Sequence, residues 1–525
     1  MYDAIFFTDD TNNLASVPPI GAYKCAHVLR KNNYKCLVVN HFSFFTLEDF
    51  DRLIDCAVSD RTKLIAFSTT FLRSVQVERI EGQPTPPFPD IDTDTVFPQG
   101  KDFENSVIAK IKNKNNCVKF SAGGAKVSPN YANKNINYGL IGYSECSIVN
   151  LMDHLATGAD LKNSIKNIWG RIIVDDRFAK AYDFCNEDMA WLPTDVVNHK
   201  TLPLEVARGC IFKCKFCSYP MNGKQNLDFV KCNKNLKYEL EKNYHEHGVS
   251  QYILVDDTFN DHEDKLNQIR SIVQSLKFQP IFWGYHRLDL IATRPQTIPI
   301  LHDIGIRAMY FGIESLNPVT AKIIGKGFDR EKQIAALELL RLKYSDISLH
   351  GSFIVGLPEE NEEQVTDTFN KVISQDVPLH SWAFHPLYIA KQQYATYSSD
   401  IDKNYASYGY VDIDSELYDS PVPDWQGKLM GATSKIINWR NQHMDFSKAM
   451  SLADQFTRNS YQNKNFYMQG QFAISVGSMN HPKYNFDQVR HTVWGDFDFD
   501  QIEHNVRQRF IDEYKQKLFL LIQNQ

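Results

Sequence analysis

The stretch "GCIFKCKFCSYP", Gly209–Pro220, places three of the chain's ten cysteines within eight residues. Cys210, Cys214 and Cys217 follow a CxxxCxxC pattern. A structural zinc site takes four protein ligands, usually as two separated pairs, and Cys232 is the one cysteine that follows. Three incidental cysteines that pack as small hydrophobes are the alternative interpretation. The spacing favours a thiolate-bound cluster of four irons that leaves one iron open for a substrate or cofactor.

The cysteines follow a predicted strand, "LEVARG", that opens a series of alternating strands and helices. The series has six predicted strands and ends with "SWAFHPLYI". Polar or glycine-containing ends of these strands all fall on the carboxyl side, where (β/α) barrels place their chemistry. The pattern predicts a partial (β/α)6, TIM-like barrel over residues 199–394.

Alternation of strands and helices also marks residues 1–160, where it predicts a doubly wound, Rossmann-like α/β domain. Residues 161–198 are expected to form a linker. A segment rich in proline and aspartate, Glu81–Gly100, is expected to be a surface excursion or lid. Residues 395–525 are expected to be mostly helical, with helices in Trp425–Gln442 and Glu503–Gln523.

Composition narrows the classes of function. Hydrophobic residues make up 43% and charged residues 23%, and the net charge of −6 gives no electrostatic basis for binding nucleic acid or an anionic membrane. No apolar run is long enough to cross a bilayer, and the first residues lack the basic start of a signal peptide. These features predict a cytoplasmic protein in which the cysteines do not form a disulfide framework.

The cysteine motif resembles that of the radical S-adenosylmethionine (SAM) enzymes, because the aromatic Phe216 precedes the last cysteine and a strand with "RG" precedes the first. The resemblance implies that Cys210, Cys214 and Cys217 hold a [4Fe-4S] cluster. It also implies that the open iron chelates the amino and carboxylate groups of SAM. An electron from the cluster would then cleave SAM to a 5′-deoxyadenosyl radical.

Residues at the ends of later strands would complete a SAM site on the same resemblance. Asp256 and Asp257 would hold the amino group, although two solvated acids are the alternative. Arg287 suits a carboxylate through its fork of donors, although a surface salt bridge would explain it equally well. Glu314 would contact the ribose or methionine moiety, because an acid in an apolar strand is costly unless it is paired.

The fifth-strand sequence "GSFIVGLPEE" resembles the family's signature for adenine. The resemblance implies that the backbone near Ile354 and Gly356 approaches the base, and glycine would permit close approach. A plain buried strand and turn is the alternative.

The order of the two domains resembles the cobalamin-binding class of radical SAM enzymes. The Gly123–Gly124 turn in "FSAGGAKVSPNY" and the loop near Ser68 would grip the corrin, and "GYSE" stands where relatives often have "GEGE". The segment Thr8–Gly21 contains no histidine, so no imidazole from this loop would ligate cobalt, and His27 and His41 lie outside it. A degenerate domain with only a structural role is the alternative.

The resemblance implies a cobalamin-dependent methyltransferase that acts on an unactivated carbon, with one SAM as radical source and another supplying the methyl group through methylcobalamin. Other C–H chemistry, such as cyclisation or ring contraction, and a non-catalytic iron–sulfur scaffold are the alternatives. Expected partners are a small-molecule or peptide substrate and an electron donor such as flavodoxin or ferredoxin. The sequence does not identify the substrate.

Overall fold

The structure is a computed structural model of the 525-residue chain. It describes residues 1–9, 17–68, 107–124, 127, 129, 135–167, 170–177, 182–219, 221, 223, 229–327, 329–392, 397–413, 418–419, 435–477, 485–499, 506 and 508–524. The expected excursion Glu81–Gly100 lies outside these residues.

The first domain is built on a sheet with the strand order β2-β1-β3-β4-β5-β7-β6. Its pairs are parallel except for the last, β6 with β7. The central strands form from short apolar runs that are buried on both faces, as parallel strands usually are. The strands are β1 (Ala4–Phe7), β2 (Cys36–Val39), β3 (Leu64–Ser68), β4 (Lys119–Gly123), β5 (Tyr138–Ile141), β6 (Ser164–Lys166) and β7 (Ile172–Asp175).

This sheet continues beyond residue 160, the expected end of the domain. Two of its strands, β6 and β7, come from the segment 161–198 that was expected to be a linker. All three residues of β6 are exposed, so this strand carries no hydrophobic signal in the sequence. The segment is therefore partly an edge of the first domain.

Helices cover both faces of the first sheet. They are α1 (Ile20–Lys31), α2 (Leu47–Ala57), α3 (Ala109–Lys114) and α4 (Glu145–Thr157). The face with α2 and α3 also receives the last helix of the chain, Gln508–Gln523, which confirms the helix predicted there. Tyr514 of that helix accepts a hydrogen bond from the Asn40 amide (2.8 Å), and Lys515 pairs with Asp49 (2.7 Å). The end of the chain thus packs against its beginning.

The second domain is a six-stranded parallel sheet in sequence order, as predicted. Its strands are β8 (Thr201–Leu204), β9 (Gln251–Leu254), β10 (Ile281–His286), β11 (Ile306–Glu314), β12 (Ser348–Val355) and β13 (Ser381–Pro386). The helices that connect them are α5 (Asn233–His247), α6 (Glu263–Gln274), α7 (Leu288–Thr293), α8 (Thr297–Ile304), α9 (Pro318–Ile324), α10 (Arg330–Lys343) and α11 (Glu362–Ile373). The arrangement is a partial (β/α) barrel.

The remaining elements follow the barrel in the C-terminal region. They are α12 (Asp400–Asn404), β14 (Val411–Asp412), β15 (Tyr418–Asp419), β16 (Lys435–Ile436), β17 (Trp439–Arg440), α13 (Phe446–Tyr461), α14 (Gly470–Gly477), α15 (Phe486–Arg490) and α16 (Gln508–Gln523). The helix α14 packs against five of the barrel strands, and a side chain at Gly470 would collide with Ala308.

The helix predicted for Trp425–Gln442 is wrong where the structure describes that segment. Residues 435–436 and 439–440 form short antiparallel strands instead. The buried Trp439 decides this conformation: its indole N–H donates to the Leu387 carbonyl oxygen (2.8 Å) and its ring packs against Tyr410. Tertiary packing therefore overrides the helical pattern.

None of the described helices combines the length and apolar character needed to cross a membrane.

Two glycines with left-handed backbones test how tightly the C-terminal region packs on the barrel. Gly356 has φ of 93°, and its missing side chain would point into the Trp439 ring, whereas Gly409 has φ of 83° and open space around it. We expect Gly409→Ala to cost about 1–2 kcal/mol of backbone strain. Gly356→Ala should lower the melting temperature clearly more, because the Trp439 ring must also move. Equal melting temperatures for the two variants would contradict this packing.

Candidate functional site

The cysteine loop follows β8 and is fixed to its surroundings by backbone hydrogen bonds. Gly209 has φ of 74°, and a Cβ there would stand 2.6 Å from the Met221 carbonyl oxygen, so only glycine fits. The Cys210 amide donates to that same oxygen (3.3 Å), and the Gly223 amide donates to the Cys210 carbonyl (2.7 Å). The loop therefore returns on itself around Cys210.

Later residues hold the other half of the loop. The Lys215 amide donates to the carbonyl of Ile324 in α9 (2.9 Å), and the Lys215 carbonyl accepts from Ile401 in α12 (2.8 Å). The Lys215 ammonium also pairs with Asp400 (2.8 Å). Cys214 and Cys217 are thus presented on a backbone that is tied to both the barrel and the C-terminal region.

Cys210 is buried beside β9. Its Sγ atom lies 3.3 Å from the hydroxyl of Thr258, which follows that strand. Burial raises the pKa of the Cys210 thiol, and the Thr258 contact opposes the rise. Metal binding would remove the proton, because a thiolate is the ligand form.

Cys214 has a cationic neighbour that the sequence did not reveal. Arg287, directly after β10, donates from Nη1 to the Cys214 Sγ (3.1 Å). Its Nε donates to Asp289 (3.0 Å), and the guanidinium stacks 3.8 Å above the Phe212 ring. The fork of Arg287, expected to meet a SAM carboxylate, is engaged by Asp289 within the chain. Its remaining donor supports a thiolate at Cys214.

The three cysteines lie on one loop. Within the described residues, no three metal-ligating side chains converge tightly enough to hold one metal ion. Cys214 and Cys217 are linked through the backbone, since the Cys217 amide donates to the Cys214 carbonyl (3.1 Å). Cysteine thiolates are the ligands of iron–sulfur clusters, so the three cysteines of this loop fit such a group by the chemistry of their donors.

The paired acids after β9 have different surroundings. Asp256 is buried, and its Oδ1 accepts from the amides of Val206 (2.8 Å) and Ala207 (3.1 Å). Burial raises the pKa of Asp256 to about 6. Asp256 therefore fastens the segment before the cysteines to β9. Asp257 is half-buried. Burial raises the pKa of Tyr285 to about 12, and the nearby Asp257 carboxylate adds to the rise.

Glu314 ends β11 at a strained position. Its φ is 67°, which is rare for a residue with a side chain, and the strand pairing shifts between Gly312 and Glu314. Burial raises the pKa of Glu314, and the ammonium of Lys326, 3.3 Å away, opposes the rise. A left-handed non-glycine residue typically costs about 1–3 kcal/mol and is common at functional sites. The Lys326 ammonium also lies 5.7 Å from the centroid of Phe216.

The structure gives the surroundings of Ile354 and Gly356 at the end of β12, where an approach to adenine stays a prediction. Ile354 is half-buried on the strand, in line with a side chain that could face a ligand. Gly356, however, directs its missing side chain at Trp439, and its carbonyl accepts from the Tyr410 hydroxyl (2.7 Å). The glycine is required by this internal contact and by its positive φ.

The carboxyl edge of the first sheet brings together the residues expected to meet a corrin. Ser68 and Gly123 end β3 and β4 and stand opposite each other in register. Gly124 follows with φ of 107°. At the end of β1, the buried hydroxyl of Thr8 has no hydrogen-bond partner among the described residues. An unpartnered buried hydroxyl on the same sheet edge as a glycine turn fits a crevice that receives a ligand.

A network of buried charges joins this edge to the cysteine loop, and the sequence reasoning missed it. Arg208, two residues before Cys210, pairs with Glu145 of α4 and with Glu205 (2.8 Å). Its guanidinium lies 4.2 Å from the Tyr143 ring centroid. The other members are Lys24, Glu187, Lys231 and Glu239. Glu205 inside an apolar strand was the one sequence signal that pointed to it.

Residues 204–372 match the model of the Radical SAM superfamily, and this range contains the three cysteines. The chain carries a radical SAM domain. The match begins at the end of β8 and ends within α11, so it covers most of the barrel.

Curated relatives match part of this chain. An uncharacterized methyltransferase of Pyrococcus horikoshii is 28% identical over 45% of this chain and 52% of its own length. The anaerobic magnesium-protoporphyrin IX monomethyl ester cyclase of Cereibacter sphaeroides is 27% identical over 34% of this chain and 29% of its own length. The chain thus spans about half of the first relative and less than a third of the second.

Two solved structures share the whole fold. The radical SAM methyltransferase TsrM of Kitasatospora setae, solved with cobalamin and a [4Fe-4S] cluster, aligns with a TM-score of 0.61 at 13% identity. The alignment covers 97% of this chain and 100% of TsrM. The cobalamin-dependent SAM radical enzyme OxsB aligns with a TM-score of 0.57 at 14% identity, over 98% of this chain and 72% of OxsB. At such identities the likeness concerns the fold.

The buried network around Arg208 should stabilise the radical SAM domain against the first domain. Arg208→Met leaves Glu145 without its cation, and breaking a buried pair costs about 3–5 kcal/mol. Arg458→Met, which removes an exposed partner of Asp454, is the matched control and should change stability by less than about 1 kcal/mol. Melting temperatures measured in parallel test this, and similar values for both variants would refute a structural role for the network.

Proposed function

We propose that the protein is a cobalamin-dependent radical SAM methyltransferase. The observation that carries the proposal is the cysteine loop, which lies at the carboxyl end of the barrel and is tied through Arg208 to Glu145 of the first domain. The shared fold with TsrM and OxsB, whose structures contain cobalamin, supports the assignment of the first domain.

Cys210, Cys214 and Cys217 would hold a [4Fe-4S] cluster. When bound and reduced, such a cluster supplies the electron that cleaves SAM. Arg287 would stabilise the thiolate of Cys214 through its hydrogen bond, and Asp289 holds the guanidinium in place. The buried Thr258 hydroxyl would orient Cys210.

SAM would bind beside this loop. Asp256, Asp257 and Glu314 would offer acids for its polar groups. Both backbone hydrogen bonds of Asp256 go to Oδ1, and its buried Oδ2 has no hydrogen-bond partner among the described residues. Phe216 and Ile354 would contribute apolar contacts. Lys326 would favour the ionised form of Glu314, because an opposite charge stabilises the carboxylate.

Cobalamin would lie against Ser68, Gly123 and Gly124. The two histidines nearest in sequence have other neighbours. His27 lies 3.3 Å from Asp188, and His41 stacks with His199 and meets Tyr514 edge to face. We therefore infer that neither imidazole ligates cobalt. Residues 10–16 of the loop that carries the cobalt-ligating histidine in other proteins lie outside the described residues.

The second candidate is radical SAM chemistry without methyl transfer, such as cyclisation. It is supported by the name of the relative from Cereibacter sphaeroides, which is a cyclase. A non-catalytic iron–sulfur scaffold is the third candidate. Under either enzymatic reading the substrate would be a small molecule or peptide, with an electron donor such as flavodoxin or ferredoxin. The experiment is to incubate the reconstituted protein with SAM and a reductant and to identify the products. Formation of both 5′-deoxyadenosine and S-adenosylhomocysteine would indicate methyl transfer. Formation of 5′-deoxyadenosine alone would indicate the second candidate. If neither product forms, the result would indicate a scaffold.

Replacing any one of the three cysteines with alanine should abolish the cluster. The reconstituted protein should contain about four irons per chain, and each variant should lose most of them together with SAM cleavage. Cys56→Ala, at an exposed cysteine of α2, is the control and should keep both. A variant of Cys210, Cys214 or Cys217 that retains its full iron content and still produces 5′-deoxyadenosine would rule out the cluster assignment.

Arg287 should raise the reduction potential of the cluster, because a cation that donates to a ligand sulfur favours the more negative, reduced state. Arg287→Gln should lower the potential on the order of 60 mV, about a tenfold change in a one-electron equilibrium. A redox titration followed by electron paramagnetic resonance measures this. Arg307→Gln is the control, since Arg307 also pairs with an aspartate but lies at the start of β11. An unchanged potential at full iron content would exclude the tuning role.

A further inference from the structure

A buried acid that follows β12, Glu360, reaches back to the end of β11. The residue is 1% exposed, and its Oε1 atom accepts a hydrogen bond from the Ser315 hydroxyl. Its Oε2 atom has no hydrogen-bond partner among the described residues. Within the part of the chain that the structure describes, the contact with Ser315 is therefore the hydrogen bond that this buried carboxyl group makes.

The environment of Glu360 favours its neutral form. Burial raises the pKa of Glu360 to about 7, and the hydrogen bond from Ser315 opposes the rise. The carboxyl group is thus close to half protonated near neutral pH, and in either form an oxygen can accept the bond from Ser315. An uncharged amide of the same shape should consequently replace this acid, whereas an apolar side chain should not.

The Ser315 hydroxyl holds the turn that ends β11. It donates to Glu360 and accepts from the Asn317 amide (3.0 Å). The Ser315 amide donates to the Ile313 carbonyl (2.9 Å), which closes a three-residue turn around Glu314. Glu314 has its left-handed φ of 67° inside this turn. A strained conformation persists only where the surrounding structure determines it, and the bond to Glu360 is part of that structure.

Asn317 extends the same anchor into α9. Its side-chain oxygen accepts from the amides of Val319 (2.9 Å) and Thr320 (3.4 Å), which caps the helix. The Thr320 hydroxyl donates to the Pro358 carbonyl (2.9 Å), two residues before Glu360. The start of α9 is therefore held against the segment after β12 both directly and through the turn that precedes the helix.

The other end of α9 meets both the cysteine loop and Glu314. The Ile324 carbonyl accepts from the Lys215 amide of the loop (2.9 Å). Lys326, which follows the helix, places its ammonium 3.3 Å from Glu314. Because α9 is a rigid unit of about two turns, a displacement of its start also moves its end. The bond between Glu360 and Ser315 thus bears on Glu314 from two directions.

We propose that Glu360 is a positioning residue of the SAM site, which through Ser315 fixes the conformation of Glu314 and the place of α9 beside the cysteine loop. The inference rests on the proposed function, because it takes Glu314 as a residue that binds SAM. Glu360 acts through these neighbours and is assigned no contact with SAM itself.

SAM affinity, measured by titrating the spectrum of the reconstituted cluster at equal iron content, tests this. Glu360→Leu removes the acceptor and should weaken SAM binding about tenfold or more. Glu360→Gln keeps an acceptor and should stay within about threefold of the wild type. Glu363→Leu, at an exposed acid of α11, is the matched control and should bind normally. Wild-type affinity in Glu360→Leu would overturn the proposal.

The donor side of the same bond gives a second variant. Ser315→Ala is a small change that can be read even if Glu360→Leu fails to fold, and it should weaken SAM binding to a similar extent. Because both side chains act through one bond, the double variant should bind SAM about as weakly as the weaker single variant. Wild-type affinity in Ser315→Ala, or losses that multiply in the double variant, would overturn the proposal.

Hydrogen exchange of the full chain separates this inference from the proposed function, because it needs neither SAM nor reductant. We expect faster exchange in peptides that cover residues 313–327 and 210–217 for Glu360→Leu, and wild-type exchange for Glu360→Gln and Glu363→Leu. Unchanged exchange in Glu360→Leu would overturn the positioning role even if SAM is bound and cleaved. Faster exchange confined to these peptides in a protein that never binds SAM would overturn the proposed function and leave the positioning of Glu314 standing.

Discussion

The buried ion pairs around Arg208 are the constraint on which the rest of the structure depends. Arg208 and Glu205 follow β8, Glu145 begins α4, and Lys24 lies on α1, so the network forms only when the two domains are assembled. Although burial raises the pKa of Glu205, Arg208 and Lys24 hold it below its usual value. Because desolvated charges are tolerated only with their partners, this requirement fixes one arrangement of the domains more sharply than apolar packing would.

The same network sets the distance between the two proposed cofactor sites. Glu145 closes the "GYSE" turn at the carboxyl edge of the first sheet, and Arg208 stands two residues before Cys210. A single ion pair therefore links the turn that would face a corrin to the loop that would hold a cluster. Asp256 secures the same loop from the other side through the amides of Val206 and Ala207.

The sequence allowed prediction of the six barrel strands and the central strands of the first domain, because each is a buried apolar run. It could not reveal β6, an edge strand whose three residues are all exposed. The contacts of Arg287 could not be predicted either, because only the folded chain brings its side chain against those of Asp289 and Cys214. Gly356 shows the same limit: its neighbour Trp439 comes from a region whose pattern resembled a helix. Residue types at strand ends were predictable, whereas their partners were not.

The structure separates its buried charges from its barrel interior. Ion pairs occupy the junction around Arg208, whereas the inner face of β10–β12 presents tyrosine, tryptophan and neutral histidine. An ionised group placed on that inner face would lose its hydration without gaining a partner from these side chains. Glu314 ends β11 and has Lys326 as its partner, 3.3 Å away. The charges that position the domains are thus a different set from the charges at the end of this barrel strand.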